Sequence, residues 1–324
     1  MLNVGRWMLD VPGVFETMSA VADPVHTLAD LARWSPAGTS IAVLGHPIAH
    51  SLSPLMHNAA LAALARDNPR FRDWRYVRFD IPPADLPAAL DLLHQKKFHG
   101  LNLTVPHKIL AFEQVAKIDP AALRVGAVNT LGWIERGWHG HNTDGYGLAA
   151  AMRETLGRDL AGAHIVLLGA GGAARGAAVE CLQQRCASLW IGNRTRPHLD
   201  ALLAVLAPLA GGIPLRDFLC ATPSAAIPGG ALVINATSAG LKAGDSPPVD
   251  LRKLPRPASV FDMIYNPPET PLLTQARALG LPRANGLAML VHQGAKSLEI
   301  WTGVPAAQTA PLMRAAVEAA LRHA

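Results

Sequence analysis

Residues 164–196 read HIVLLGAGGAARGAAVECLQQRCASLWIGNRTR, and no other stretch of the chain restricts its fold as tightly. Residues 165–168 are a short apolar run, β-branched at the start, of the kind buried on both faces in a parallel sheet. The run breaks into Gly169-Ala170-Gly171-Gly172-Ala173-Ala174, which fits the G-x-G-x-x-G/A spacing. Gly169 permits the tight turn, Gly171 lets backbone approach a pyrophosphate, and the small Ala174 lets the next helix pack on the strand. Residues 173–184 are Ala-rich and read as that helix, whose unpaired N–H groups and positive end point at phosphates. A second strand over 188–191 ends in Gly192-Asn193-Arg194-Thr195-Arg196.

That ending selects the cofactor. An NAD site wants an acid roughly 20 residues past the glycines to bond the ribose 2′-hydroxyl. The strand tip here carries no carboxylate but two arginines, and a guanidinium grips a 2′-phosphate bidentately. A glycine turn alone, or a pair of solvated arginines alone, is commonplace. Strand, glycines, helix, strand and basic tip in one unit favour an NADP-type dinucleotide site.

The 324 residues, 50% hydrophobic and 16% charged, suffice for two cores, and the length suggests two domains. A net charge of +5 suits a small anionic ligand. No Lys/Arg run tracks a nucleic-acid backbone, and no apolar run reaches the ~20 residues of a membrane span. Cys181, Cys186 and Cys220 are odd in number and lack metal-ligand spacing, which fits a reduced, cytoplasmic setting and no metal. Asp10, Glu16 and Asp23 argue against a transit peptide. Residues 1–38 form an extension with no assigned role, in which 24–34 could make one amphipathic helix, and regular structure is expected to begin at Ser40.

From there, 41–45 reads as a strand leading to Ser51 and Ser53. In an extended chain these hydroxyls face one way, as a carboxylate clamp would require. Alternatively, Ser53 caps the helix that Pro54 opens, over 56–65. A strand over 75–79 and a helix over 84–93 follow. Residues 101–105 alternate apolar and polar, placing Asn102 and Thr104 on one strand face. Pro106 is then expected at the first helical position, with Lys108 in the first turn, where the macrodipole disfavours an ammonium and tunes it as an acid/base. A hairpin turns at Glu135-Arg136-Gly137. Before it, Asn129 offers donor and acceptor to a polyol. After it, Asp144 either caps a helix over 147–156 or holds Lys108 and helps pass a proton. Beyond residue 196, helices are expected over 198–209, 275–279, 287–300 and 306–322, and strands over 231–235 and 259–264.

The segments GHPIAHSLSP, NLTVPHK, GAVNTL, NTDG, GAGGAARG, NRT, INATSAG, DMIYNPPETPLL and NGLAMLVHQGAKSLEIWTG together resemble shikimate dehydrogenase, in order and spacing, from about residue 41 onward. The resemblance implies an α/β protein of two domains. Residues 39–144 plus 287–324 would form the substrate-binding domain, the C-terminal helices returning to it, and 145–286 a Rossmann-type NADP-binding domain. Ser51 and Ser53, helped by Tyr265, would bind the substrate carboxylate. Thr104, Asn129 and Gln293 would hold ring hydroxyls, with Asn102 supporting that wall. Lys108 and Asp144 would be the catalytic pair. Residues 169–174 would take the pyrophosphate, and Asn193, Arg194 and Thr195 the adenosine phosphate. Thr237, Ser238, Gly286 and Met289 would line the nicotinamide side.

The implied reaction is reversible reduction of 3-dehydroshikimate to shikimate with NADPH, by a monomer or homodimer binding neither nucleic acid nor membrane. His198 stands where relatives usually carry a second basic residue, for which Arg196 would substitute. His46 and Gly294 replace a usual Asn and Ala, away from the chemistry. Ser53 argues for shikimate over quinate. The rival readings are an NAD-dependent quinate/shikimate dehydrogenase and a non-catalytic dinucleotide sensor, in which Lys108 and Asp144 would be idle.

Overall fold

Strand and helix segments alternate along the chain, and the fold sorts them into two sheets, each with helices on both faces. The computed structural model describes residues 24–35, 37–242 and 244–322. Asp10, Glu16 and Asp23 lie outside them. The first half runs β1 (Val25–His26), α1 (Leu28–Ala32), β2 (Thr39–Gly45), α2 (Ser53–Asp67), β3 (Trp74–Asp80), α3 (Leu86–Gln95), β4 (Gly100–Leu103) and α4 (His107–Leu110). It continues with β5 (Lys117–Ile118), α5 (Pro120–Val125), β6 (Thr130–Ile134), β7 (Gly137–His141) and α6 (Asp144–Leu156). Next come β8 (His164–Leu168), α7 (Gly172–Gln183), β9 (Ser188–Asn193), α8 (Arg196–Leu206), β10 (Leu215–Leu219) and β11 (Leu232–Asn235). β12 (Ser259–Asp262), α9 (Pro271–Ala278), β13 (Arg283–Ala284), α10 (Leu287–Thr302) and α11 (Ala306–Arg322) complete the chain.

The first sheet has the order β1-β3-β2-β4-β6-β7-β5; it is parallel through β4 and then turns antiparallel at β6 and the hairpin. The second, β10-β9-β8-β11-β12-β13, is parallel throughout. Its central strands are buried along their length, as the continuous apolar runs predict. α10 and α11 fold back onto the first sheet: Val291, Leu298, Met313 and Val317 share one core with Ile41, Val43 and Met56. α6 lies so close to α10 that a Cβ on Gly147 would stand 2.8 Å from Gln293 Cβ. These two helices join the halves and bring residue 144 to face residue 293.

The N-terminal expectation needs correction. Residues 24–34 form not one helix but β1 and the five-residue α1. Thr27 starts α1 through a capping box with Asp30, while Val25 and His26 pair with Arg78 and Phe79 on the edge of β3. Regular structure therefore begins at Val25 rather than Ser40. α6 starts at Asp144, three residues early, and α9 at Pro271, where Thr270 accepts from the N–H of Leu273. β5, α5, β10 and β13 escaped the pattern reading because each is short or, like the edge strand LRDFL, half exposed.

Candidate functional site

Lys108 sits in α4, a single turn with Pro106 as its N-cap rather than its first residue. Four residues align too few peptide dipoles to supply the macrodipole expected there. What places the ammonium is Asp144: Lys108 Nζ donates to Asp144 Oδ2 at 2.7 Å, and both side chains are partly buried. Asp144 opens α6 without capping it, so the capping alternative falls. Its other oxygen accepts from Asn129 Nδ2 at 2.9 Å.

Asn129 is 1% exposed, and its polar atoms are all engaged. Oδ1 accepts from the Thr143 N–H at 2.8 Å and from Thr130 Oγ1 at 3.0 Å, while Nδ2 also reaches Thr143 Oγ1. It stands behind Asp144, with its Nδ2 3.5 Å from Oε1 of Gln293, which lines the cavity. Asn102 extends the same network, donating to Ser297 Oγ at 2.9 Å and Thr130 Oγ1 at 3.1 Å, and accepting from Tyr76 Oη at 2.8 Å. Buried polar groups left unpaired are costly, so this closed network fixes the geometry around Asp144. Tyr76, Thr130, Thr143 and Ser297 were not anticipated. Three of them carry no local signal, and Ser297 joins only because α10 returns from far downstream of Thr143.

A cavity of about 420 Å³ opens before this pair. Ser51, Ser53, Thr104 and Asn102 line it from the first sheet, with Lys108 and Asp144. Tyr265, Met289, Gly286 and Gln293 line it from the far side. The two serines reach it by a route other than the extended chain expected. Leu52 is helical (φ −84°, ψ −2°), and the loop is gripped by Arg78, which donates to the carbonyls of Ala49 and Ser51. Nor does Ser53 cap α2; Ser51 Oγ instead accepts from the Ser53 N–H at 3.3 Å. Burial pushes the Tyr265 phenol up, so it stays a neutral donor.

Past the carboxyl ends of β8, β9 and β11 lies a second, 880 Å³ crevice, lined by Gly169, Ala170, Gly171, Asn193, Arg194, Thr237 and Ser238. Gly169 has φ +117°, and a Cβ there would sit 3.0 Å from the Ala236 carbonyl oxygen, so the turn itself demands glycine. Gly171 differs, because a Cβ on it would meet nothing within 4 Å. The chain's own packing does not ask for that glycine. No side chain caps α7, whose first N–H groups open toward the same space, while Ala174 is buried against the strand. Thr237 is fixed by Asn235 Oδ1, which accepts both its N–H and its hydroxyl, and Asn235 in turn donates to Asp262, a carboxyl raised by burial.

The basic tip divides. Arg194 lines the crevice, exposed and without a partner among the described residues. Arg196 does not line it: its guanidinium is taken by Asp217 on β10 and lies 3.7 Å from Asp200 on α8. As placed, it faces these two carboxylates and not the crevice. Thr195 Oγ1 pairs with His198 Nδ1 at 3.1 Å, and Lys242 and Lys253, unanticipated, line the opposite wall. Gly172, Ala173 and Thr195 flank the crevice without lining it, Ala173 facing the first cavity instead. Among the described residues no helix is long and apolar enough to cross a membrane, and no group of three His, Cys, Asp or Glu is placed to hold a metal ion.

Residues 43–131 match the family model of the shikimate dehydrogenase substrate binding domain, and 286–318 that of the shikimate 5′-dehydrogenase C-terminal domain. The NADP(+) shikimate dehydrogenase of Moorella thermoacetica is 42% identical over 274 residues, 81% of this chain and 88% of its own. That of Methylobacterium radiotolerans is 40% identical, covering 84% and 94%. Among solved structures, a shikimate dehydrogenase in complex with NADP+ matches with TM-score 0.74 at 32% identity, over 91% of this chain and 98% of that one. The Thermus thermophilus enzyme in complex with NADP(H) and shikimate matches with TM-score 0.72 at 34% identity, over 86% and 99%. A 5-ketofructose reductase of a Gluconobacter species matches with TM-score 0.73 at 31% identity, over 85% and 98%.

Proposed function

The chain belongs to the shikimate dehydrogenase family, and we propose that Lys108 and Asp144 are its acid/base pair. The reaction is the reversible NADP-dependent reduction of 3-dehydroshikimate to shikimate. When bound, NADPH supplies the hydride to the ring ketone. Lys108 supplies the proton: its ammonium donates to the carbonyl oxygen as charge builds there, and in the reverse direction the amine accepts the hydroxyl proton. Asp144, held by Asn129, keeps Nζ aimed at that oxygen. The 2.7 Å contact between Lys108 and Asp144, at the wall of a cavity large enough for a cyclohexene acid, carries the reading.

Ser51, Ser53 and Tyr265 present three hydroxyl donors to the substrate carboxylate. Thr104 and Gln293 meet ring hydroxyls, Asn102 braces their wall, and Asn129 acts through Asp144. The uncapped start of α7 and the open face of Gly171 fit a pyrophosphate held by backbone at 169–174. Arg194, with Asn193 and Thr195, takes the 2′-phosphate. Thr237, Ser238, Gly286 and Met289 lie along the nicotinamide side. Residues 39–144 plus 287–324 form the substrate-binding domain and 145–286 the dinucleotide-binding domain. All of these groups come from one chain, so a single chain can carry a complete site and a monomer or homodimer would serve. Three unpaired cysteines suit a cytoplasmic setting.

The test is kcat/KM for NADP and NAD, each with shikimate and quinate, alongside Lys108→Ala. The variant is expected to lose about 10²–10⁴ in kcat with KM for shikimate little changed. Near-full turnover by Lys108→Ala removes Lys108 from the mechanism, and a preference for NAD with quinate overturns the substrate and cofactor assignment.

A further inference from the structure

Arg194 and Arg196 flank one threonine at the end of β9, and the fold gives them opposite fates. Arg194 opens onto the crevice with no partner among the described residues. Arg196 begins α8 and turns to two carboxylates: Asp217 of the neighbouring strand and Asp200 one helical turn on. The register explains the first contact. β10 runs parallel to β9 with Leu219 beside Asn193, so Asp217 lies two residues short of the strand tip, within reach of the side chain just past it. Around Arg196 the three groups sum to a net charge of −1, beside a subsite meant for a phosphate.

We propose that Asp217, seconded by Asp200, sets the strength of 2′-phosphate recognition by holding Arg196 away from the crevice. The proposal rests on the NADP reading and deepens it. A single exposed ion pair holds its partners only weakly and would yield to a phosphate. Two carboxylates sharing one guanidinium hold it harder, because swinging it out strands two like charges side by side. Asp217 pairs in register two residues short of the strand tip, so its charge also repels an incoming phosphate there, an effect that salt screens. Among the described residues Arg194 is thus the one guanidinium that lines the crevice, beside Lys242 and Lys253. Neutralising Asp217 frees a second fork for bidentate pairing and lifts the repulsion together.

The experiment is calorimetric binding of 2′,5′-ADP and 5′-AMP to the full chain and to Asp217→Asn, Arg196→Ala, Arg194→Ala and the double variant Asp217→Asn/Arg196→Ala. Near-ultraviolet circular dichroism confirms that each is folded. Asp217→Asn is expected to bind 2′,5′-ADP about fivefold to tenfold more tightly, as one added charge-assisted pair allows, with 5′-AMP unchanged. Arg196→Ala, which leaves both carboxylates uncompensated, is expected to weaken 2′,5′-ADP binding by less than about threefold and less than Arg194→Ala does, and the double variant to lose the gain made by Asp217→Asn, as a coupled pair requires. If Arg196→Ala weakens 2′,5′-ADP as much as Arg194→Ala does, Arg196 already serves the phosphate and the proposal is wrong. It is equally wrong if Asp217→Asn moves both nucleotides alike or neither. If Asp217→Asn does not fold, Asp200→Asn and Arg196→Ala decide by the same criteria. A wild-type chain that does not distinguish 2′,5′-ADP from 5′-AMP sinks the NADP reading, while a preference appearing only in Asp217→Asn still upholds the role of Asp217.

Discussion

At the scale of single residues, the proposed chemistry rests on a lysine placed by an aspartate, and the aspartate on an asparagine buried to 1% exposure. Lys108, Asp144, Ser51 and Ser53 were legible as side chains of the right type beside the right turns. Their mutual placement was not, because nothing local relates residue 108 to residue 144. Asn129 shows the difference best. Its type suits a polyol, yet its amide is spent on Asp144 and Thr143. Asn129→Ala is therefore expected to lower kcat by at least about tenfold, with KM for shikimate changed less than about threefold, since the loss falls on a group acting only in the transition state. Steady-state kinetics in the oxidative direction decides it. A rise in KM with kcat intact would put Asn129 against the substrate after all.

At the scale of elements, the glycine turn and α7 were read nearly to the residue, because glycine spacing and an Ala-rich helix are local signals. The reason for each glycine came only with the fold: Gly169 is needed by the turn against Ala236, Gly171 by nothing in the chain. Gly171→Ala is therefore expected to leave Tm within about 3 °C, a cap change of Gly to Ala costing at most about 1 kcal/mol, while raising KM for NADPH at least about tenfold. Calorimetry and kinetics on one preparation check both halves. A larger fall in Tm, or an unchanged KM, defeats the assignment of Gly171 to the pyrophosphate. α4 and α2 taught the opposite lesson. Arguments from helix dipole and serine capping were sound for ideal helices and failed for a one-turn helix and for a loop turned by Leu52.

At the scale of the whole molecule, α10 and α11 complete the first sheet's core, and α10 stacks over His57 of α2. His57 is fully buried against Tyr76, with ring centroids 4.1 Å apart, and its Nδ1 donates to the Ser53 carbonyl at 2.9 Å. Burial pushes it down to about 4 from the ordinary 6.5. Between those values the unfolded chain holds the extra proton, so stability falls as pH drops through 6.5, and the loss is complete below about 4. The loss attributable to His57 between about pH 7 and pH 5 is about 2 kcal/mol. His57→Gln should flatten that part of the Tm-against-pH curve, and a slope equal to wild type would remove His57 as its source. The amino-acid order by itself determined the buried strands of the parallel sheet, the dinucleotide turn and the candidate residues, because strand burial, glycine geometry and side-chain type are properties of short windows. Only the tertiary structure decided which of them meet. The Lys108–Asp144 salt bridge proposed for catalysis, the amide behind it and the carboxylates that draw Arg196 aside all join residues brought together by packing, which sequence spacing does not encode.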